Sequence, residues 1–344
     1  MPVNPREMIA ALNDALTIKA GVMPSHPHPL AEQVAEMDMK DIAIIAGELT
    51  AIEQGRRPTN DAAILGMGLT RSDFGMAMGD AMSYLAANRY DAFADHLPLC
   101  ADLPVADFKE ISFPDISADV ALQETRELQE HTAASVIPAD GTVKAQLRTY
   151  GRIISVSRQS VINDDIGLLA NIFASMGTSA ARIENEQVFT GLESNPNLQD
   201  GEPLFHEDLG NTESSALSAE ALASAVGKLR TMPLRRDEPA NTKARFLVTA
   251  PELEMPAHRL NREHGNRLEV IASPHIKTGR WYVFADPEVA PVIQRLTLKG
   301  ASGKPVMIEP QKRNITFDGI RLKARADIGI AITGRSGVVR GGIE

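Results

Sequence analysis

The sequence predicts an α+β protein, and three features predict it. Amphipathic helices fill the N-terminal quarter, a long polar ribbon follows, and a lengthy helix then gives way to alternating short helices and strands.

The helices come first. Asn4-Pro5 supplies a cap and a first-turn proline, after which Ile9, Leu12 and Leu16 keep 3,4 spacing. A break spans Gly21 to Pro29, where Pro24, Pro27 and Pro29 alternate with His26 and His28. A second helix is expected from Asp38, with Ile42, Ile45, Leu49 and Ile52 on one face, ending near Gly55. Arg56 to Asn60 reads as a linker. Both helices are too short to stand alone, so they must pack on something. A third runs from Ser72 to about Arg89, with Phe74, Met78, Met82 and Leu85 along one side.

The ribbon is next. His96 to Ile116 is proline-punctuated and partly alternating, which is strand and connection grammar. Ala121 to His131 is highly charged, and Pro138-Ala139-Asp140-Gly141 is a turn signal. Val143 to Ser157 is expected as one long strand, so a charged outgoing limb and a returning strand predict an extended hairpin. A two-stranded ribbon is marginal by itself. Support is therefore expected from elsewhere, with a neighbouring copy as the natural source. Glu124, Arg126, Glu127, Glu130, Lys144 and Arg148 are the candidates for charge pairing with that copy, and Ile153 and Val156 for apolar contact. Exposed ion pairs are worth ~0–1 kcal/mol each, so they would set register more than strength.

Asn163-Asp164-Asp165 then caps a helix in which Ile166, Leu169, Phe173, Met176, Ala180 and Ile183 share a face. It persists to about Leu192, a rod of roughly 40 Å at ~1.5 Å per residue. Asn195 to Asn211 is loop. From Ser218 the pattern is α/β: a helix carrying Leu222, Val226 and Leu229, a strand Arg245 to Ala250, and a helix to about Arg262. Strands follow at Leu268–Ala272 and Trp281–Phe284, then a strand-rich stretch from Val306 to Ile332 with a turn at Asp318-Gly319. There is no internal repeat.

With 344 residues, 43% of them hydrophobic, the chain has material for about two domains. A net charge of −10 and 4% aromatic residues argue against gripping phosphates or stacking on bases. Cys100 stands alone, which excludes an internal disulfide and suits a reducing compartment. Neither a signal peptide nor a membrane-spanning apolar run is expected.

Reactive chemistry is sparse. His206-Glu207-Asp208 has the types for a metal or general-base site, but it lies in a loop with no second ligand at metal spacing, so capping or solvation is expected. His26 and His28 sit among prolines, and His258 and His264 lack the two-turn zinc spacing. Gly300 to Lys304 is followed by Pro305 and reads as a turn rather than a phosphate loop. Cys100, among apolar residues and prolines, reads as a buried inert thiol. No catalytic, cofactor or metal residues are assigned.

Several segments together carry a resemblance. They are Thr149-Tyr150-Gly151-Arg152-Ile153-Ile154, Ser157 to Asp165, Leu204-Phe205-His206, Gly210-Asn211, Leu247 to Glu254, Trp281 to Pro287 and Asp318 to Gly329. In this order, across about Ser72 to Gly342, they resemble the major capsid protein of tailed double-stranded-DNA phages. That is the Hong Kong 97-type fold, in the branch often fused to a prohead protease. The resemblance implies an icosahedral shell subunit enclosing double-stranded DNA, forming hexamers and pentamers with itself. A portal and a maturation protease or scaffold are the implied partners, with assembly in the host cytoplasm and residence in the virion. It assigns 1–71 to an N-terminal helical scaffold-like arm, 72–119 to the N-arm and start of the peripheral domain, and 120–150 to the E-loop hairpin. It assigns 151–216 to the peripheral domain with its spine helix, 217–309 to the axial domain and 310–344 to return strands. Cleavage between Gly55 and Thr70 by another chain is one expectation, and Lys109 or Lys144 are the residues to consider for the isopeptide cross-links of some relatives. An encapsulin-like nanocompartment or gene-transfer particle is the alternative within the fold; a soluble hydrolase using His206 and Asp208 is the alternative outside it.

Overall fold

The structure, a computed structural model, describes residues 5–19, 23–24, 26–53, 72–116, 138–157, 159, 166–232, 240–300, 303–311 and 319–342. In chain order the helices are α1 (Pro5–Lys19), α2 (Ala31–Ala35), α3 (Met39–Glu53) and α4 (Ser72–Asp91). The strands β1 (Cys100–Val105), β2 (Ile111–Ile116), β3 (Pro138–Ala145) and β4 (Arg148–Ser157) precede the long α5 (Ile166–Glu193) and the short β5 (Thr212–Glu213). Then come α6 (Ala219–Thr231), β6 (Ala244–Thr249), α7 (Glu254–Glu263), β7 (Glu269–Ala272) and β8 (Trp281–Ala285). The chain closes with β9 (Ile293–Leu298), β10 (Met307–Pro310), β11 (Gly319–Ile328), β12 (Ile330–Ile332) and β13 (Val338–Gly341). It divides into two compact units, Met1–Ala94 with Thr149–Ile183 and Gly300–Asp327, and Asp95–Arg148 with Glu184–Lys299 and Ile328–Glu344.

In the first unit α1 packs against α2 and α4, burying Leu12 and Leu16 as their spacing predicts. Helix α4 buries Met78 and Met82 and leans on β10. The approach is close because Gly79 lacks a side chain: a Cβ there would stand 2.6 Å from the Ile308 carbonyl oxygen. The Ser83 hydroxyl completes the joint, donating to the Gly79 carbonyl at 2.7 Å and accepting from the Ile308 amide at 2.9 Å. A second close approach joins α4 to α5, where a methyl on Gly177 would collide with the Ala86 carbonyl. The sheet of this unit has the order β10-β11-β4. Along β11, Leu322, Ala324 and Ala326 are buried while Arg321, Lys323, Arg325 and Asp327 alternate with them.

The second unit is built on a five-stranded mixed sheet of order β5-β13-β8-β6-β7. Its central strands are buried on both faces, which explains why RFLVT and WYVFA read as continuous apolar runs. Phe246, Val248, Tyr282, Phe284 and Val338 face Val188, Phe189, Leu192, Leu204 and Phe205. The alternate residues Leu247, Trp281, Val283 and Val339 face α6 and α7 through Leu222, Ala225, Leu229 and Ala257. Ser218 caps α6 by accepting from the Ala221 amide at 3.1 Å. A smaller sheet, β1-β9-β12, joins β1 to β9 in parallel. Pro104 fits in β1 because that strand is an edge.

Three expectations change. The single strand Val143 to Ser157 is two strands, broken after Ala145: β3 pairs with β2 and β4 with β11. The turn signal at Pro138 to Gly141 lies inside β3, where the register with β2 shifts between Phe113 and Asp115, so its residues make an irregularity in the ladder rather than a reversal. The base of the ribbon takes its support from its own chain, since Ile111, Phe113 and Ala145 join a cluster with Leu147, Leu296 and Ala331. Of the closing strands, β11 belongs to the first unit and β13 to the five-stranded sheet of the second. Helices α1, α3, α4, α5 and α6 lie where periodicity places them. The linker Arg56 to Asn60, the cap Asn163 to Asp165 and Asp318 fall outside the described residues.

Candidate assembly surface

The ribbon's arms are β2 and β3, antiparallel, with Ile111 opposite Ala145 and Ser112 opposite Lys144. Lys144 is exposed and pairs with Glu110 at 2.9 Å; hydrogen bonding to that carboxylate holds the ammonium protonated above its ordinary range. Lys109, also exposed, stands 3.5 Å from Asp107. Glu124, Arg126, Glu127 and Glu130 lie outside the described residues. Arg148 is exposed at the start of β4.

The apolar pair splits. Ile153 is 58% exposed, an unusual setting for a branched aliphatic residue in a strand. Val156 is 2% exposed, covered by its own chain, which removes it from the contact candidates. The Thr149 hydroxyl donates to the Asp327 carboxylate at 2.6 Å, so these two share a face of the sheet. Strand alternation then puts Gly151 and Ile153 on that face with Arg321, Lys323 and Arg325. Arg325 stands 3.6 Å from Glu309 and 3.8 Å from Asp327. The result is a half-exposed face combining three cations with one bare aliphatic side chain.

His206, His28 and Lys304 make local structural contacts. His206 is an N-cap: its Nδ1 accepts from the Asp208 amide at 3.3 Å, and its own amide donates to Asn211 Oδ1 at 3.0 Å. Asp208 is almost fully exposed. The His28 ring accepts from the Leu30 amide at 3.3 Å, and its own amide donates to Asp14 at 2.7 Å. The Lys304 ammonium lies 4.1 Å from the Tyr84 ring centroid and 3.4 Å from Asp80. Cys100 is partly exposed as a residue, yet burial pushes its thiol well above the ordinary range and keeps it a poor nucleophile. Among the described residues no group of His, Cys, Asp and Glu is arranged to hold a metal, and no helix is long and apolar enough to cross a membrane.

Two buried polar groups escape sequence reasoning. His96 meets Glu184 and Asn185, and Tyr282 donates to Glu193 at 2.7 Å with Arg280 3.5 Å from that carboxylate. Their members are 88 and 89 positions apart, and no local pattern announces them.

A profile of the phage capsid protein family matches residues 140–341, from β3 to β13. The chain belongs to the phage capsid protein family. It is a shell-forming capsid protein, a component of the virion that associates with copies of itself. Comparison with curated protein sequences finds no match. Among solved structures the chain is similar to the capsid of the cyanophage P-SCSP1u, with 12% identity over 72% of this chain and 86% of that one, at a TM-score of 0.47. It is also similar to the holo-SrpI encapsulin complex of Synechococcus elongatus, with 11% identity over 71% and 85%, at 0.44. The capsid of Myoviridae phage XM1 gives 11% identity over 70% and 90%, at 0.40.

Proposed function

We propose that this capsid protein builds a closed icosahedral shell from hexameric and pentameric rings, and that the shell encloses double-stranded DNA. The observation that carries this reading is the family match over residues 140–341. The role is mechanical, with no reaction to perform. A portal and a maturation protease or scaffold are the partners we assign, with assembly in the host cytoplasm. In this reading 120–150 is the E-loop, 151–216 the peripheral domain with α5 as its spine, 217–309 the axial domain and 310–344 the return strands. The segment 1–71 is then the scaffold-like arm.

The contact we assign joins the acidic segment holding Glu124, Glu127 and Glu130 to the Ile153 face of a second copy, where Arg321, Lys323 and Arg325 supply the opposite charge. Lys144 and Arg148 are further candidates for charge pairing with that copy. Aliphatic burial at Ile153 provides strength, while the charges choose register.

Electron microscopy of the purified protein tests the first claim: closed particles containing nuclease-protected DNA support it, and small oligomers overturn it. Particles filled with a cargo protein instead of DNA would establish the encapsulin-like reading. Reversing the three cations to glutamate should block assembly, and reversing Glu124, Glu127 and Glu130 to lysine in the same chain should restore it. Assembly that ignores both changes removes the assigned contact.

A further inference from the structure

Helix α4 has two buried faces. Gly79, Ser83 and Ala86 form the first: Gly79 and Ser83 meet Ile308 of β10, and Ala86 meets Gly177 of α5. Met78, Ala81, Met82 and Leu85 form the second, roughly 120° round the helix at 3.6 residues per turn. Met78, Ala81 and Met82 are fully buried and Leu85 is half-buried, so this face is covered as thoroughly as the first. Since β10 takes the Gly79 face, the cover here is α1, the other main neighbour of α4 among the described residues. Between α2 and α4 it buries Ala11, Leu12, Ala15 and Leu16, each 5% exposed or less. Two bonds tie α1 to the chain that follows it. Asp14 accepts from the His28 amide at 2.7 Å, and the Lys19 ammonium donates to the Met37 carbonyl at 2.9 Å.

We infer that α1 is a permanent cover for the Met78 face of α4, so that a cut between Gly55 and Thr70 nicks the protein without releasing its N-terminal helices. Two losses oppose release. Departure of the arm would return Met78, Ala81 and Met82 to water, a contiguous apolar surface that lowers stability and promotes aggregation. The departing α1, 15 residues long, would also lose the packing that keeps a helix of that length folded. Neither loss depends on the peptide bonds between Glu53 and Ser72. The scaffold-like role assigned to 1–71 is thereby narrowed to that of a built-in part of the first unit. The inference concerns that unit alone and applies to a free subunit, so its failure would leave the shell reading untouched.

A specific protease site inserted between Arg57 and Pro58 of the full-length chain tests it. After unassembled subunits are cut, the N-terminal piece and the remainder should leave a sizing column together in equal amounts, and should part only in urea. Separation in native buffer overturns the inference. The same insertion combined with Leu12→Asp and Leu16→Asp should let the piece go once it is cut. Retention by that variant shows that something other than α1 holds the arm, and equally overturns it. Where the site resists the protease or the variant fails to fold, hydrogen exchange on the uncut wild-type chain decides. The α1 amides should be slowed as far as those of Met78 to Leu85 in α4, and exchange in α1 at the rate of free chain would sink the cover.

Discussion

Asparagines organise the loop between α5 and β5. Asn211, fully buried, donates to the Leu204 carbonyl at 2.6 Å and accepts from the His206 amide at 3.0 Å. Asn195 does the same for Phe205, accepting from its amide at 2.7 Å and donating to its carbonyl at 3.0 Å. These bonds tie Leu204-Phe205-His206 to Gly210-Asn211 and fix the path of the loop. Asn211→Ala strands a buried carbonyl and a part-buried amide, so a loss of about 2 kcal/mol is expected in urea denaturation followed at Trp281. His206→Ala removes only a half-exposed cap; the same measurement should register less than about 1 kcal/mol, with particle yield unchanged.

At the scale of elements, glycine sets how closely helices approach. The α4–α5 crossing admits no methyl at Gly177, because the obstacle is the Ala86 backbone carbonyl, which cannot swing aside as a side chain would. Gly177→Ala should cost about 2 kcal/mol or more, visible as a lowered melting temperature and a reduced soluble yield. The ribbon follows a different rule. Its base is seated on the β1-β9-β12 sheet by Ile111 and Phe113, so the ladder forms within one chain.

The whole molecule should be acid-sensitive because several of its carboxylates are held ionised by folded-state partners. The Arg335 guanidinium holds the Asp200 carboxyl below its usual range, and Lys228, aided by Ser224, does so for Glu213. The Glu288 amide and Arg245 do the same for Asp286. A depressed carboxylate contributes stability that is full above its unfolded value, about pH 4, and is lost as pH falls through the folded one. Asp95, raised by burial, works in the opposite sense, contributing stability below its unfolded value that is lost as pH rises through the folded one. Asp200→Asn combined with Glu213→Gln should therefore make acid unfolding less steep when Trp281 emission is followed from about pH 6 to about pH 2, and an unchanged slope would show that these pairs do not govern it.

Periodicity alone located α1, α3, α4, α5 and α6, because each buries one face and repeats at the helical period. Runs buried on both faces located β6 and β8 for the matching reason. The order of motifs along the chain carries the capsid resemblance. What the sequence concealed depends on distance along the chain. The parallel pairing of β1 with β9, the place of β13 beside β8, the covering of Val156 and the meeting of His96 with Glu184 each join residues that no local window contains. The short α2 has too few positions to show a period. Local pattern states which side of an element is apolar; only the tertiary structure decides what that side meets, because burial is settled by whichever distant surface completes the core.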